Sequence, residues 1–273
     1  MAASIPRKSR PRRGFTEAMT GICTFCGDEK ALVKAHIVPK SFYKIDEDPN
    51  VIVDVKGEYR PKRSRIGLWD DGILCRSCED VFSRIDDIAF KALFGKRAKR
   101  YVCRGADGTL LVNRAMPVLV YIDSVNPRDL FAFAVSVLWR AFVSKLDQFS
   151  DVKLYGLEDL FLAHLKGERD IFDSFHMAIA WETNPDLRGM VMVPGQWDIK
   201  DAKILRFVAG GVTFLLGVEL SSRFSERFLF DLYNGKQTLL YWTSRNSKLN
   251  AQLADAVRVS NDRYGWPSFM RKR

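Results

Sequence analysis

Four of the five cysteines of this chain fall in two short pairs, Cys23-Thr24-Phe25-Cys26 and Cys75-Arg76-Ser77-Cys78. A C-x-x-C turn aims two sulfurs at one point, and two such turns supply the four thiolates that a tetrahedral zinc ion takes at about 2.3 Å. One such pair alone also suits a thioredoxin-type redox motif. A second, near-identical pair in a chain whose first residues form no signal peptide favours structural zinc. Gly27 follows the first pair and suits the tight backbone around a metal. The second pair opens a helix from 79 to about 96, with Val81, Phe82, Ile85, Ile88, Ala89, Leu93 and Phe94 on one apolar face. Knuckle, long insert, knuckle and helix describe a treble-clef layout.

The insert is longer than a simple zinc ribbon needs. It reads as a strand over 32–38, a turn over 46–50, a second strand over 51–55 and a basic loop leading back to the second knuckle. His36 lies on the first of these strands. With four sulfurs already allotted to zinc, its imidazole is not needed as a structural ligand. On the helix, Glu79, Ser83 and Asp86 recur at i, i+4 and i+7, which presents two carboxylates and a hydroxyl along one stripe. Each residue also has a plainer reading. His36 hydrogen-bonds a backbone carbonyl and packs under Pro39; Glu79 is a first-turn acid favoured by the helix dipole; Asp86 and Asp87 pair with Arg84 or lie in solvent.

Cys23 and Cys26, then Ala35-His36-Ile37-Val38-Pro39-Lys40-Ser41, then Leu74-Cys75 and Cys78-Glu79 with Asp86 further on, together resemble the zinc-stapled branch of the HNH nucleases over about residues 20–90. The resemblance implies a ββα-metal unit in which the histidine ends a strand and the helix lends ligands to a divalent ion. It implies hydrolysis of phosphodiester bonds, with His36 as general base and Glu79 and Asp86 holding Mg²⁺ or Mn²⁺, hard cations that prefer oxygen. Lys40 would contact a phosphate oxygen. The pattern departs from the family twice: Ala35 stands where an acidic or histidine metal ligand is usual, and Glu79 where His or Asn usually follows the last cysteine.

A net charge of +10 and a pI near 9.4 suit a polyanionic partner. Nucleic acid, as double-stranded DNA, is the first candidate. Basic residues cluster at Arg60, Lys62, Arg63 and Arg65 and at Lys96, Arg97, Lys99 and Arg100, within or just after the zinc unit, and so predict a basic rim around His36. Residues 1–14 are Arg- and Pro-rich and form either a disordered basic tail or an arm that orders on phosphates. The cysteine usage fits a reducing cytosol, hence a cytoplasmic protein; Cys103 is left over as a small half-buried residue.

Residues 15–104 are therefore expected to form the zinc unit and 105–273 a second domain, divided at the Gly105-Ala106-Asp107-Gly108 turn. In the second domain Asn126 and Pro127 read as cap and first position of a helix over 128–146, apolar nearly all round but too short before Arg140 to span a bilayer. Strands are expected at 109–112 and 118–122. A helix over 157–166 carries His164, and strands follow at 176–181, 190–193, 204–208 and 212–220, the last two joined at Gly210-Gly211. A helix over 226–233, a strand over 238–242 and a helix over 247–258 complete the expectation. The class is α+β, a treble-clef unit followed by helices and an antiparallel sheet. Trp139 and Arg140 make either a base-stacking surface or core. This layout resembles bacterial HNH-like proteins, several thought to act in defence against phage, and implies a domain that selects the target or docks a protein partner. The other class of reading is a zinc-stapled nucleic-acid-binding or adaptor protein whose nuclease site has decayed.

Overall fold

The computed structural model describes residues 20–43, 51–54, 60–63, 67–95, 100–102, 118–122, 126–181, 190–199, 202–220 and 238–242. The expected basic tail, the 46–50 and 105–108 turns, Cys103, the 109–112 strand and the 226–233 and 247–258 helices lie outside them.

The cysteine-bearing segment folds as a three-stranded antiparallel sheet backed by a helix. Strand β1 (Thr20–Ile22) turns through the first knuckle into β2 (Glu29–His36), and β5 (Trp69–Cys75) pairs with the other edge of β2. Gly27 closes the knuckle at φ 81°, a conformation open to glycine without strain. Helix α1 (Arg76–Phe94) starts directly after Cys75. Its buried stripe is Cys78, Phe82, Asp86, Ala89 and Leu93, rotated from the apolar face read in the sequence. Ile88 is left exposed and a carboxylate faces inward.

Helix α2 (Pro127–Val143) is capped as its sequence predicts: Asn126 Oδ1 accepts the Arg128 amide at 3.0 Å, with Pro127 in the first turn. It is buried nearly all round and lies between α1, α3 (Glu158–Leu165) and a second sheet. Phe133 shows the continuity: its ring stacks on Phe42 at 5.1 Å and meets Phe207 and Phe214 edge-on at 5.9 and 5.3 Å. One hydrophobic core thus runs from Cys23 to Leu216.

The second sheet has nine strands in the order β4-β3-β9-β10-β11-β8-β12-β7-β6. These are β3 (Val51–Asp54), β4 (Arg60–Arg63), β6 (Arg100–Val102), β7 (Val118–Ile122), β8 (His176–Trp181), β9 (Val191–Ile199), β10 (Ala202–Ala209), β11 (Val212–Leu220) and β12 (Thr238–Trp242). Neighbours run antiparallel except β3 with β9 and β12 with β8. Gly210 and Gly211, at φ 62° and 77°, form the β10–β11 hairpin, the double left-handed pair of a type I′ turn. Strands β3 and β4, which belong to the cysteine insert by sequence, are hydrogen-bonded into this sheet through β9. Among the described residues no helix is long and apolar enough to cross a membrane.

Candidate metal centre and the strand end beside it

The two knuckles meet because β5 bonds to both. Thr24 donates from its amide and its hydroxyl to the Ile73 carbonyl at 2.9 and 2.8 Å, and the Cys75 amide points at the Cys23 sulfur at 3.4 Å. The sulfurs of Cys23, Cys26, Cys75 and Cys78 all lie within 4.8 Å of one another, with Cys26 and Cys75 4.0 Å apart. A tetrahedral zinc with bonds of about 2.3 Å spaces its sulfurs by about 3.8 Å, so the cluster needs little closing. None of the four is in a disulfide. Burial works against charge on Cys75, yet the Ser77 hydroxyl and the Cys78 backbone hold its thiol down at about 6, while burial pushes Cys78 up. Thiols crowded in this way share negative charge reluctantly, and a divalent cation removes the conflict. The four cysteines are positioned to bind a metal ion.

His36 is the last residue of β2, half-buried, and opposite Trp69 of β5. Its carbonyl accepts Arg140 Nη1 at 2.7 Å, and its backbone lies near enough to the Glu79 carboxylate, in the first turn of α1, to favour the charged form of that group slightly. Burial raises the Glu79 carboxyl to about 7, against the pull of the Arg140 charge and with a further push from Asp86. Its Oε2 is buried and has no hydrogen-bond partner among the described residues.

No protein-family model, curated protein or solved structure matches this chain.

Asp86 is 8% exposed, and both its oxygens are taken by Arg140: Nη1 to Oδ2 at 2.9 Å and Nη2 to Oδ1 at 2.7 Å. Burial pushes its pKa up and the guanidinium opposes this. The expected stripe of Glu79, Ser83 and Asp86 does not face one ligand, since Ser83 is exposed and Asp86 is turned into the core. Of the two carboxylates expected on a divalent ion, Glu79 keeps a buried oxygen with no hydrogen-bond partner among the described residues, whereas both Asp86 oxygens are engaged by Arg140. Among the described residues the four cysteines are the one group of three or more such ligands.

Ala35 is fully buried. Lys40 is exposed at the start of a 3-10 turn, Lys40–Tyr43, that follows the His36 strand. Arg60, Lys62 and Arg63 lie on β4 and Arg100 begins β6, the strands at the two opposite edges of the nine-stranded sheet. Arg65, Lys96, Arg97 and Lys99 lie outside the described residues. Trp139 and Arg140 are 2% and 0% exposed, so they are core and not a base-stacking surface; Trp139 stacks on Phe82 at 5.8 Å.

For Arg140 the sequence allows core or a stacking surface, and it gives no sign of the ties to Asp86 and His36. What it shows is a lone cation in an apolar helical run, with Ser136 one turn before it; the partners lie 54 and 104 positions away and leave no local trace.

Proposed function

We propose that this chain is a metal-dependent endonuclease of the HNH type that hydrolyses phosphodiester bonds in DNA. The reading is carried by one observation: a strand that starts beside a four-cysteine cluster ends at His36, whose backbone meets the Glu79 carboxylate of the following helix. The cluster serves as a structural zinc site, because four sulfurs close the tetrahedron and leave no position for substrate. Hydrolysis then belongs to the strand end. Half-buried His36 takes a proton from a water as its oxygen attacks phosphorus, the bridging P–O bond breaks, and the leaving oxygen is protonated from solvent. Exposed Lys40, four residues on, offers an ammonium to a phosphate oxygen. Glu79 is the carboxylate that would meet Mg²⁺ or Mn²⁺, which when bound neutralises phosphate charge. A basic chain of this composition suits a polyanion, and a role in defence against phage accords with the resemblance of its layout.

The test is cleavage of plasmid DNA by the purified protein with Mg²⁺ or Mn²⁺. His36→Ala should lower the rate by about 10²–10⁴-fold, the usual worth of a general base, with zinc content and fold retained.

A second reading, a zinc-stapled nucleic-acid-binding or adaptor protein, is favoured by the commitment of both Asp86 oxygens to Arg140 and by buried Ala35 at a position the family gives to a ligand. DNA binding without cleavage, unchanged by His36→Ala, would decide for it.

A further inference from the structure

We infer that Arg140, supplied by α2, is the positioning residue that fixes the His36 end of β2 against helix α1. The inference rests on the nucleolytic reading for its catalytic meaning and on geometry for the rest. A guanidinium has five N–H donors in one plane, and here each has a partner. Nε donates to the Ser136 carbonyl at 3.2 Å, and Nη1 to the His36 carbonyl at 2.7 Å and Asp86 Oδ2 at 2.9 Å. Nη2 donates to Asp86 Oδ1 at 2.7 Å and Ser136 Oγ at 3.2 Å. The side chain is fully buried, and its charge lies 5.1 Å from the Phe82 ring. Three elements distant in sequence are joined at one planar group.

The division of donors is informative. The fork to Asp86 neutralises the charge, and Ser136 orients the plane from the same helix. The donor left over goes to the one backbone carbonyl that belongs to His36. A buried ion pair is a poor device for stability alone, since apolar residues of similar volume often serve as well or better. It is a good device for direction, because a planar fork holds its partners in register. The His36 carbonyl, at the end of the strand, is tied to a buried guanidinium that is itself fixed to α1 and α2, and this sets the His36 backbone. An imidazole that must reach an attacking water needs such a setting, and a displacement of about 1 Å costs on the order of 10²-fold in rate.

The test uses the full chain with its metal. Arg140→Met combined with Asp86→Leu removes the pair without leaving a lone buried charge. Arg140→Lys keeps a cation for Asp86 but lacks the planar fork that serves Asp86, Ser136 and the His36 carbonyl together. Four readouts are taken on each: zinc content, cooperative unfolding, the ring signals of His36 by ¹H–¹⁵N spectroscopy, and kcat and KM on plasmid. The expected result is retained zinc and cooperative unfolding, displaced or broadened His36 ring signals with those of His164 and His176 unmoved, and kcat lower by about 10–100-fold at little-changed KM. Unmoved His36 signals in both variants overturn the inference, as does unchanged kcat alongside displaced signals. Loss of cooperative unfolding in both also overturns it, since Arg140 would then hold the core at large. A wild-type protein that cuts nothing removes the nucleolytic reading, and the ring signals then decide the positioning role by themselves.

Discussion

Asp70 of β5 is a 6% exposed carboxylate with donors on both oxygens: the Gly72 amide at 2.8 Å on Oδ1, and the Ser144 hydroxyl at 2.7 Å and Lys145 amide at 3.0 Å on Oδ2. It ties the strand leading into the second knuckle to the end of α2. Truncation to alanine would strand a buried hydroxyl and two amides, each costing about 1–3 kcal/mol when unsatisfied. Asp70→Ala is therefore expected to lose roughly 2–4 kcal/mol in a denaturant titration, water recovering part of the full sum. A loss below about 1 kcal/mol would mean that solvent already serves these groups. At this scale the cysteines were legible in the sequence, because a C-x-x-C turn sets its own geometry within four residues. Asp70 and Asp86 were not, because the sequence displays a carboxylate but not the distant donor that turns it inward.

Between neighbouring residues and the whole chain, the elements divide along the same line. Helix α2 and the β10–β11 hairpin were readable from Asn126-Pro127 and Gly210-Gly211, since a cap and a tight turn are local choices of backbone. The burial of α1 was misread by part of a turn: hydrophobicity assigned Ile88 to the core, whereas Arg140 draws Asp86 inward and leaves Ile88 out. The pairing of β3 with β9 had no signal at all, because strand partners are chosen by the sheet they join. Asn126→Ala isolates the readable part. It removes the acceptor of the Arg128 amide and should cost about 1 kcal/mol, seen as a shift of the denaturation midpoint with an unchanged slope. An unmoved midpoint would mean that the Asn126 carboxamide does not carry the cap.

Across the molecule, the four-cysteine cluster and the core share a wall. Phe25, between the first two cysteines, sits edge-on to Phe82 at 5.1 Å and to Trp139 at 5.8 Å, so the first knuckle is packed onto α1 and α2. Removing the ion should not release a detached finger but loosen one face of a continuous core. A metal that binds the folded chain at a thousand times its Kd adds about 4 kcal/mol, and chelation should remove at least that, lowering the unfolding temperature without abolishing cooperative unfolding. The same link fixes the pH dependence. Metal-bound thiolates have folded-state pKa values far below the unfolded value of about 8.5, so their contribution is present above that value and is lost as acid protonates the sulfurs. Holo and apo unfolding curves should therefore converge on acidification and separate again when the pH is restored with zinc present. Curves that coincide at neutral pH, with no zinc found in the purified protein, would remove the metal from the cysteine cluster and leave its four sulfurs as core.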